Sequence, residues 1–212
     1  MQRLIGFALL SLTTIFTVSS CKKDPLKNMN EDESRIYITN HDSTVKFNSY
    51  KTYSIADSVT LIDNGRFAGR ESTAWDQQVM AALQNAMNAR GFVKVDRNQN
   101  PDLGINVSRV YSTSTQVVDL SDYYGGYGGY YDPYYWGYGG YDYYFPPSYG
   151  YYQSTEAALS IDILDLKDAS GNQSIKGVWS GLVRGEGIFK SSNVQTQVQA
   201  LFDQSPYLKT NQ

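Results

Sequence analysis

Cys21 is the only thiol in a chain of 212 residues, and His41 is the only imidazole. A lone cysteine forms no intramolecular disulfide. A histidine-based triad would have to be built on His41, and no GxSxG elbow accompanies it. There is no Walker loop and no GxGxxG after a strand. Gly181-Leu-Val-Arg-Gly185 lies inside a strand pattern and lacks the lysine of a phosphate loop. Carboxylates are the remaining chemical group. Asp162, Asp165 and Asp168 recur at every third position. A strand alternates its faces, so Asp162 and Asp168 fall on one side and Asp165 on the other. They read as a solvated strand face and a turn, and they do not follow the alternating ligand pattern of a calcium loop. His41 reads as a surface residue. The expectation is a non-enzymatic chain with no catalytic residue, no cofactor and no metal.

What surrounds Cys21 is more specific. Arg3 gives a positive start, Leu4 to Val18 is mainly apolar, and Val18-Ser19-Ser20 runs into Cys21-Lys22-Lys23. That order is the n-region, h-region and small-residue cleavage site of a secretory signal peptide over residues 1–20. The apolar run falls short of the roughly 20 residues a membrane span needs. The four residues ending at Cys21 resemble a bacterial lipobox. The resemblance implies diacylglycerol on the Cys21 sulfur, cleavage after Ser20 and a third acyl chain on the new amine. Several acyl chains hold firmly where one binds only marginally, so the membrane is the expected partner. Lys22, in place of the aspartate that retains lipoproteins at the inner membrane, implies the outer membrane. Lys22-Lys23-Asp24 also resembles an export signal of surface lipoproteins, which leaves the periplasmic face and the cell surface both open.

Arg3 is the only charged residue among the first twenty, so their removal takes the formal net charge from -3 to -4. No basic stripe forms a phosphate track, and nucleic acid is not an expected partner. Residues 21–34 are polar and charged with a proline at 25, which reads as a flexible tether. The remainder, 35–208, suits a single domain.

The elements follow from periodicity. Val45 to Ile55 alternates like a half-buried strand, with a loop around Asp63-Asn64-Gly65 after it. Thr73 to Arg90 carries Trp75, Val79, Leu83 and Ala86 at helical steps, with Thr73 and Asp76 as a capping box and Gly91 as the left-handed stop. Phe92 to Val95 and Leu103 to Tyr111 read as strands. In the strand over 155–166 the apolar phase slips at Leu164, which predicts a bulge or a strand end. Asp168 to Gly171 is a turn, and Ile175 to Gly185 returns as the hairpin partner with Trp179 and Val183 on one face. Ser192 to Asp203 is the second helix, with Ser192 and Gln195 as its capping box. The plan is α+β: a single antiparallel or mixed sheet with two amphipathic helices on one face.

Residues 122–152 interrupt this plan with tyrosine and glycine. They hold most of the 19 tyrosines, no aliphatic residue, and prolines at 133, 146 and 147. Such a segment reads as a low-complexity loop inserted between strands, belonging to no periodic element and separable from the fold. Tyr124, Tyr127, Tyr131, Tyr135, Trp136, Tyr138 and Tyr141 are its candidate binding residues, able to stack on sugars or other chains. The alternative is a solvated insertion with no partner.

Phe47-Asn-Ser-Tyr-Lys-Thr-Tyr53, Ala89-Arg-Gly-Phe92, Asn100-Pro-Asp-Leu-Gly-Ile-Asn-Val107, Leu159-Ser-Ile-Asp-Ile-Leu-Asp165 and Val178-Trp-Ser-Gly181 occur in this order. Together they resemble a family of bacterial lipoproteins catalogued as domain of unknown function 4136, over roughly residues 45–208. Tyr53-Ser-Ile55 departs from the Tyr-Ala-Trp usual there. The resemblance implies an α+β envelope lipoprotein and supplies no catalytic residue. The expected function is a non-enzymatic module binding an envelope protein or glycan. The alternative is a cell-envelope hydrolase with a cryptic carboxylate site.

Overall fold

A computed structural model describes residues 30–64, 66–111, 116–119, 135–144, 149–152 and 157–210. The folded unit spans Glu31–Gln212. Its strands are β1 (Ile36–His41), β2 (Thr52–Ile55), β3 (Val59–Asp63), β4 (Arg66–Glu71), β5 (Val93–Lys94), β6 (Leu103–Tyr111), β7 (Gln116–Asp119), β8 (Asp142–Tyr144), β9 (Tyr149–Tyr152), β10 (Ala157–Asp165) and β11 (Ser174–Arg184). Its helices are α1 (Ala74–Ala89), α2 (Ala169–Asn172, a single turn) and α3 (Val194–Asp203). Nine strands form one mixed sheet in the order β1-β11-β10-β6-β2-β5, with β3 beside β6, β4 beside β3 and β8 beside β11, while β7 and β9 pair separately. The class is α+β, as the sequence predicts. The flanks of the tyrosine-glycine segment pair as expected, Ala157 lying opposite Tyr111.

β10 is the centre of the sheet, bonded along its whole length to β6 and β11. Leu159, Ile161 and Ile163 face one cluster with α1 and α3, built on Val79, Leu83, Met87, Val198, Leu201 and Phe202. Ala158, Leu164 and Leu166 face a second cluster with Ile62, Val110, Leu182 and Trp136. A strand covered on both faces is apolar on both. That explains the phase slip at Leu164, and the predicted irregularity is present there as a register shift between Ile163 and Leu164 in the pairing with β11. The irregularity belongs to β11, where Ile163 pairs Trp179 and Leu164 pairs Gly177, leaving Val178 as the extra residue.

The expected strand over 45–55 is shorter. Phe47–Ser49 forms a 3-10 turn, and β2 starts only at Thr52. The cause is Asp102, whose Oδ2 accepts hydrogen bonds from Lys51 N (2.6 Å) and Thr52 N (3.1 Å) while its own N donates to Thr52 Oγ1 (2.9 Å). Asp102 O in turn accepts from Leu166 N (2.9 Å) and Lys167 N (3.1 Å). One aspartate thus joins β2, β6 and the end of β10. Phe47, Tyr50 and Tyr53 still reach the core, because a turn at this spacing points all three inward. The loop expected at Asp63-Asn64 is the bend of the β3–β4 hairpin.

The capping box of α1 forms as predicted: Asp76 N donates to Thr73 Oγ1 (3.3 Å), and Thr73 N donates to Asp76 Oδ2 (2.7 Å). Gly91 follows with φ +87°. The capping box predicted for the last helix does not form. Ser191–Asn193 is a 3-10 turn, and α3 begins at Val194 without a side-chain cap. The tether also ends earlier than position 34. Lys190 Nζ lies 2.7 Å from Glu31 Oε2, and Glu186 N donates to Ser34 Oγ, which docks residues 31–34 on the loop after β11. His41 is not a plain surface residue. It closes β1 opposite Trp179, and its ring stacks on Tyr207 at 3.9 Å.

Trp179 and Gly181 share a face two residues apart on β11. A Cβ on Gly181 would stand 2.5 Å from the Trp179 ring, so the glycine is the floor on which the indole lies. The indole nitrogen donates to Ser205 Oγ (2.8 Å), tying the sheet to the end of α3.

Candidate functional site

Carboxylates first. Asp162 and Asp165 are both buried, contrary to the solvated face the sequence suggests; only Asp168 is exposed. The reason is the double covering of β10. Asp162 faces the second cluster, where Ser160 Oγ donates to its Oδ2 (3.1 Å) and Asn106 lies opposite it on β6. Asp165 faces the first cluster. Tyr50 Oη donates to its Oδ2 (2.9 Å) and Asp168 N to its Oδ1 (3.1 Å). The two acids lie on opposite sides of the sheet, so the non-convergence read from the sequence holds. Among the described residues no group of three or more His, Cys, Asp or Glu side chains is placed to hold a metal.

Burial raises the Asp165 carboxyl above the ordinary aspartate range, against the hydrogen bonds from Asp168 N and Tyr50. Burial and the Asp165 charge likewise raise the Tyr50 phenol. A carboxyl raised on folding stabilises the fold while protonated, and that contribution is lost as pH rises through its folded value. Asp165→Asn keeps an acceptor for Asp168 N and can donate to Tyr50 Oη. Its thermal midpoint relative to wild type is therefore expected to rise between the ordinary aspartate range and neutrality. A difference that stays flat with pH over that window would refute the assignment.

Tyr124, Tyr127 and Tyr131, like Cys21, lie outside the described residues. Trp136, Tyr138 and Tyr141 pack against the domain where the sequence suggested an open binding loop. Trp136 is 6% exposed and packs edge-on to Tyr135, with centroids 4.9 Å apart. It approaches Gly104 so closely that an added Cβ there would stand 3.1 Å from the ring and 2.9 Å from Leu166 Cδ1. Tyr138 Oη donates to Leu166 O (3.1 Å), and its ring tilts against Tyr141 at 5.4 Å. Asp142–Tyr144 pairs with Ser174–Lys176 as β8, and Tyr149–Tyr152 pairs with Gln116–Asp119 as β9. The segment therefore contributes strands and a core residue, which corrects its reading as a loop with no periodic element.

Tyr135, one of the candidate binding residues, borders a groove whose other residues the sequence did not flag. Its hydroxyl accepts from Asp57 N (3.0 Å), its carbonyl accepts from Arg97 Nη1 (3.0 Å), and its ring lies under the guanidinium groups of Arg97 (4.5 Å) and Arg70 (5.3 Å). Beside it is a groove of about 490 Å3 between the open edge of β2 and α1. Ser54–Asp57 forms one wall, Gln77, Met80, Ala81 and Gln84 of α1 another, and Lys94–Arg97 a third. Lys94 Nζ donates to Gln84 Oε1 (3.0 Å). No local pattern links Arg97 to Tyr135, 38 positions later, so periodicity had no means of finding this site.

A mixed sheet knit by Asp102 and Tyr50, with Trp179 lying over Gly181, defines an α+β domain of the kind those motifs implied. The chain belongs to the family described as domain of unknown function (DUF4136), which matches residues 38–207. It is similar to a crystal structure of a DUF4136 family protein from Bacteroides thetaiotaomicron, at 26% identity and a TM-score of 0.68, over 84% of this chain and 99% of that one. A PelC dodecamer from Paraburkholderia phytofirmans aligns at 11% identity and a TM-score of 0.40, over 84% and 99% of the two chains. A PDZ domain protein from Parabacteroides distasonis aligns at 14% and 0.45, over 83% of this chain and 37% of that one. No curated protein matches the chain. Among the described residues no helix is long and apolar enough to cross a membrane.

Proposed function

We propose that this chain is a lipid-anchored envelope lipoprotein whose folded unit binds a partner and catalyses no reaction. The observation that carries the reading is Val18-Ser19-Ser20-Cys21-Lys22-Lys23, an acylation motif shortly before the folded unit begins at Glu31. Acyl chains on Cys21 are the membrane partner, and Lys22 favours the outer membrane. A preformed groove with ordered cations supports a binding role. The hydrolase alternative, a cryptic carboxylate site, draws no support from Asp162 and Asp165, which face opposite sides of β10. Cys21→Ala expressed in the native host is expected to move from the membrane to the soluble fraction, with its thermal midpoint unchanged. Retention of that variant in carbonate-washed membranes would contradict the anchor.

A further inference from the structure

We infer that the groove beside β2 receives a short extended peptide carrying both a free carboxylate and an ammonium group, which adds to the sheet where β5 stops. The inference rests on reading the folded unit as a binding module. β5 covers β2 only at Thr52 and Tyr53, and the last bond between them runs from Val95 N to Tyr53 O (2.9 Å). On the other side of β2, Ala56 N donates to Ile105 O (2.9 Å). Backbone groups alternate along a strand, so the N–H and C=O of Ile55 face the groove. The next outward donor, Asp57 N, is closed off by the Tyr135 hydroxyl (3.0 Å). A single open donor–acceptor pair flanked by closed positions is a template for one strand residue of a ligand.

The charges around that edge set the ligand's chemistry. Lys94 is fixed by Gln84, and Arg97 by the carbonyl and ring of Tyr135. Side chains ordered beforehand lose little entropy on binding. Asp57 and Asp96 line the same groove, so two cations meet two acids. A polyanion would meet the acids and a polycation the cations. A peptide with one terminal carboxylate and one amine complements both.

The test is isothermal titration of the full-length protein in detergent with the synthetic tetrapeptide Ala-Lys-Ala-Ala. Saturable binding with one peptide per chain is expected. The C-terminal amide of the same peptide, an analogue N-methylated at its central amide, and the variants Lys94→Ala and Arg97→Ala should each weaken binding on the order of tenfold. Unchanged circular dichroism would separate this loss from unfolding of the variants. Absence of binding, or equal binding of acid and amide, overturns the site, even where the anchor on Cys21 is found by mass. Equal binding of the N-methylated peptide overturns strand addition. Peptide bound but recovered cleaved upholds the groove and overturns the non-enzymatic reading.

Discussion

Arg109→Ala is expected to lower folding stability by about 3–5 kcal/mol, read by urea denaturation. Arg109 sits on β6 facing the start of α1. Its Nε lies 3.2 Å from Asp76 Oδ1 and its Nη2 3.2 Å from Asp76 Oδ2, with Glu71 as a second, half-exposed partner. Asp76 is fully buried and also accepts from Thr73 N and Oγ1, so it is both helix cap and counter-ion. Removing the guanidinium strands a carboxylate in the core, which costs more than the ion pair contributes relative to an apolar replacement. The double change Arg109→Met with Asp76→Asn should recover much of the loss. A loss below about 1 kcal/mol for Arg109→Ala would place the pair among exposed salt bridges and contradict its burial.

Trp136→Ala carries the second large effect, about 3–5 kcal/mol, the usual cost of emptying a buried indole site. The indole fills the second face of the sheet over Gly104 and Leu166, with Tyr135 and Tyr138 packed beside it only partly buried. The same contact makes replacement of residues 122–152 by a Gly/Ser linker destabilising, where composition predicts a neutral change. A thermal midpoint unmoved by Trp136→Ala would restore the reading of the segment as separable.

The sequence carried the first core because periodicity reports a one-sided face. α1, β6 and β11 follow their patterns, and the α1 cap forms at Thr73 and Asp76. Residues covered on two faces lose that signal, which is why Asp162 and Asp165 read as solvated acids. Low complexity hid the rest. Nothing in a Tyr/Gly run distinguishes Trp136 from its neighbours until Gly104 provides the space beneath it. The groove was hidden for a different reason: Ile55, Arg97 and Tyr135 come from three separate segments, and only the early end of β5 opens the edge between them. The Phe47–Tyr53 and Asn100–Asp102 motifs were visible as strings, but their role as one joint through Asp102 needs the hydrogen bonds.

Mass spectrometry of the N-terminal peptide of the mature protein, taken from its native host, tests the anchor most directly. The expected peptide begins at Cys21 and carries a diacylglyceryl group on sulfur and an acyl chain on the amine. A peptide that continues upstream of Cys21, or that begins there with a free thiol, would contradict the assignment of this chain as a lipid-anchored envelope protein.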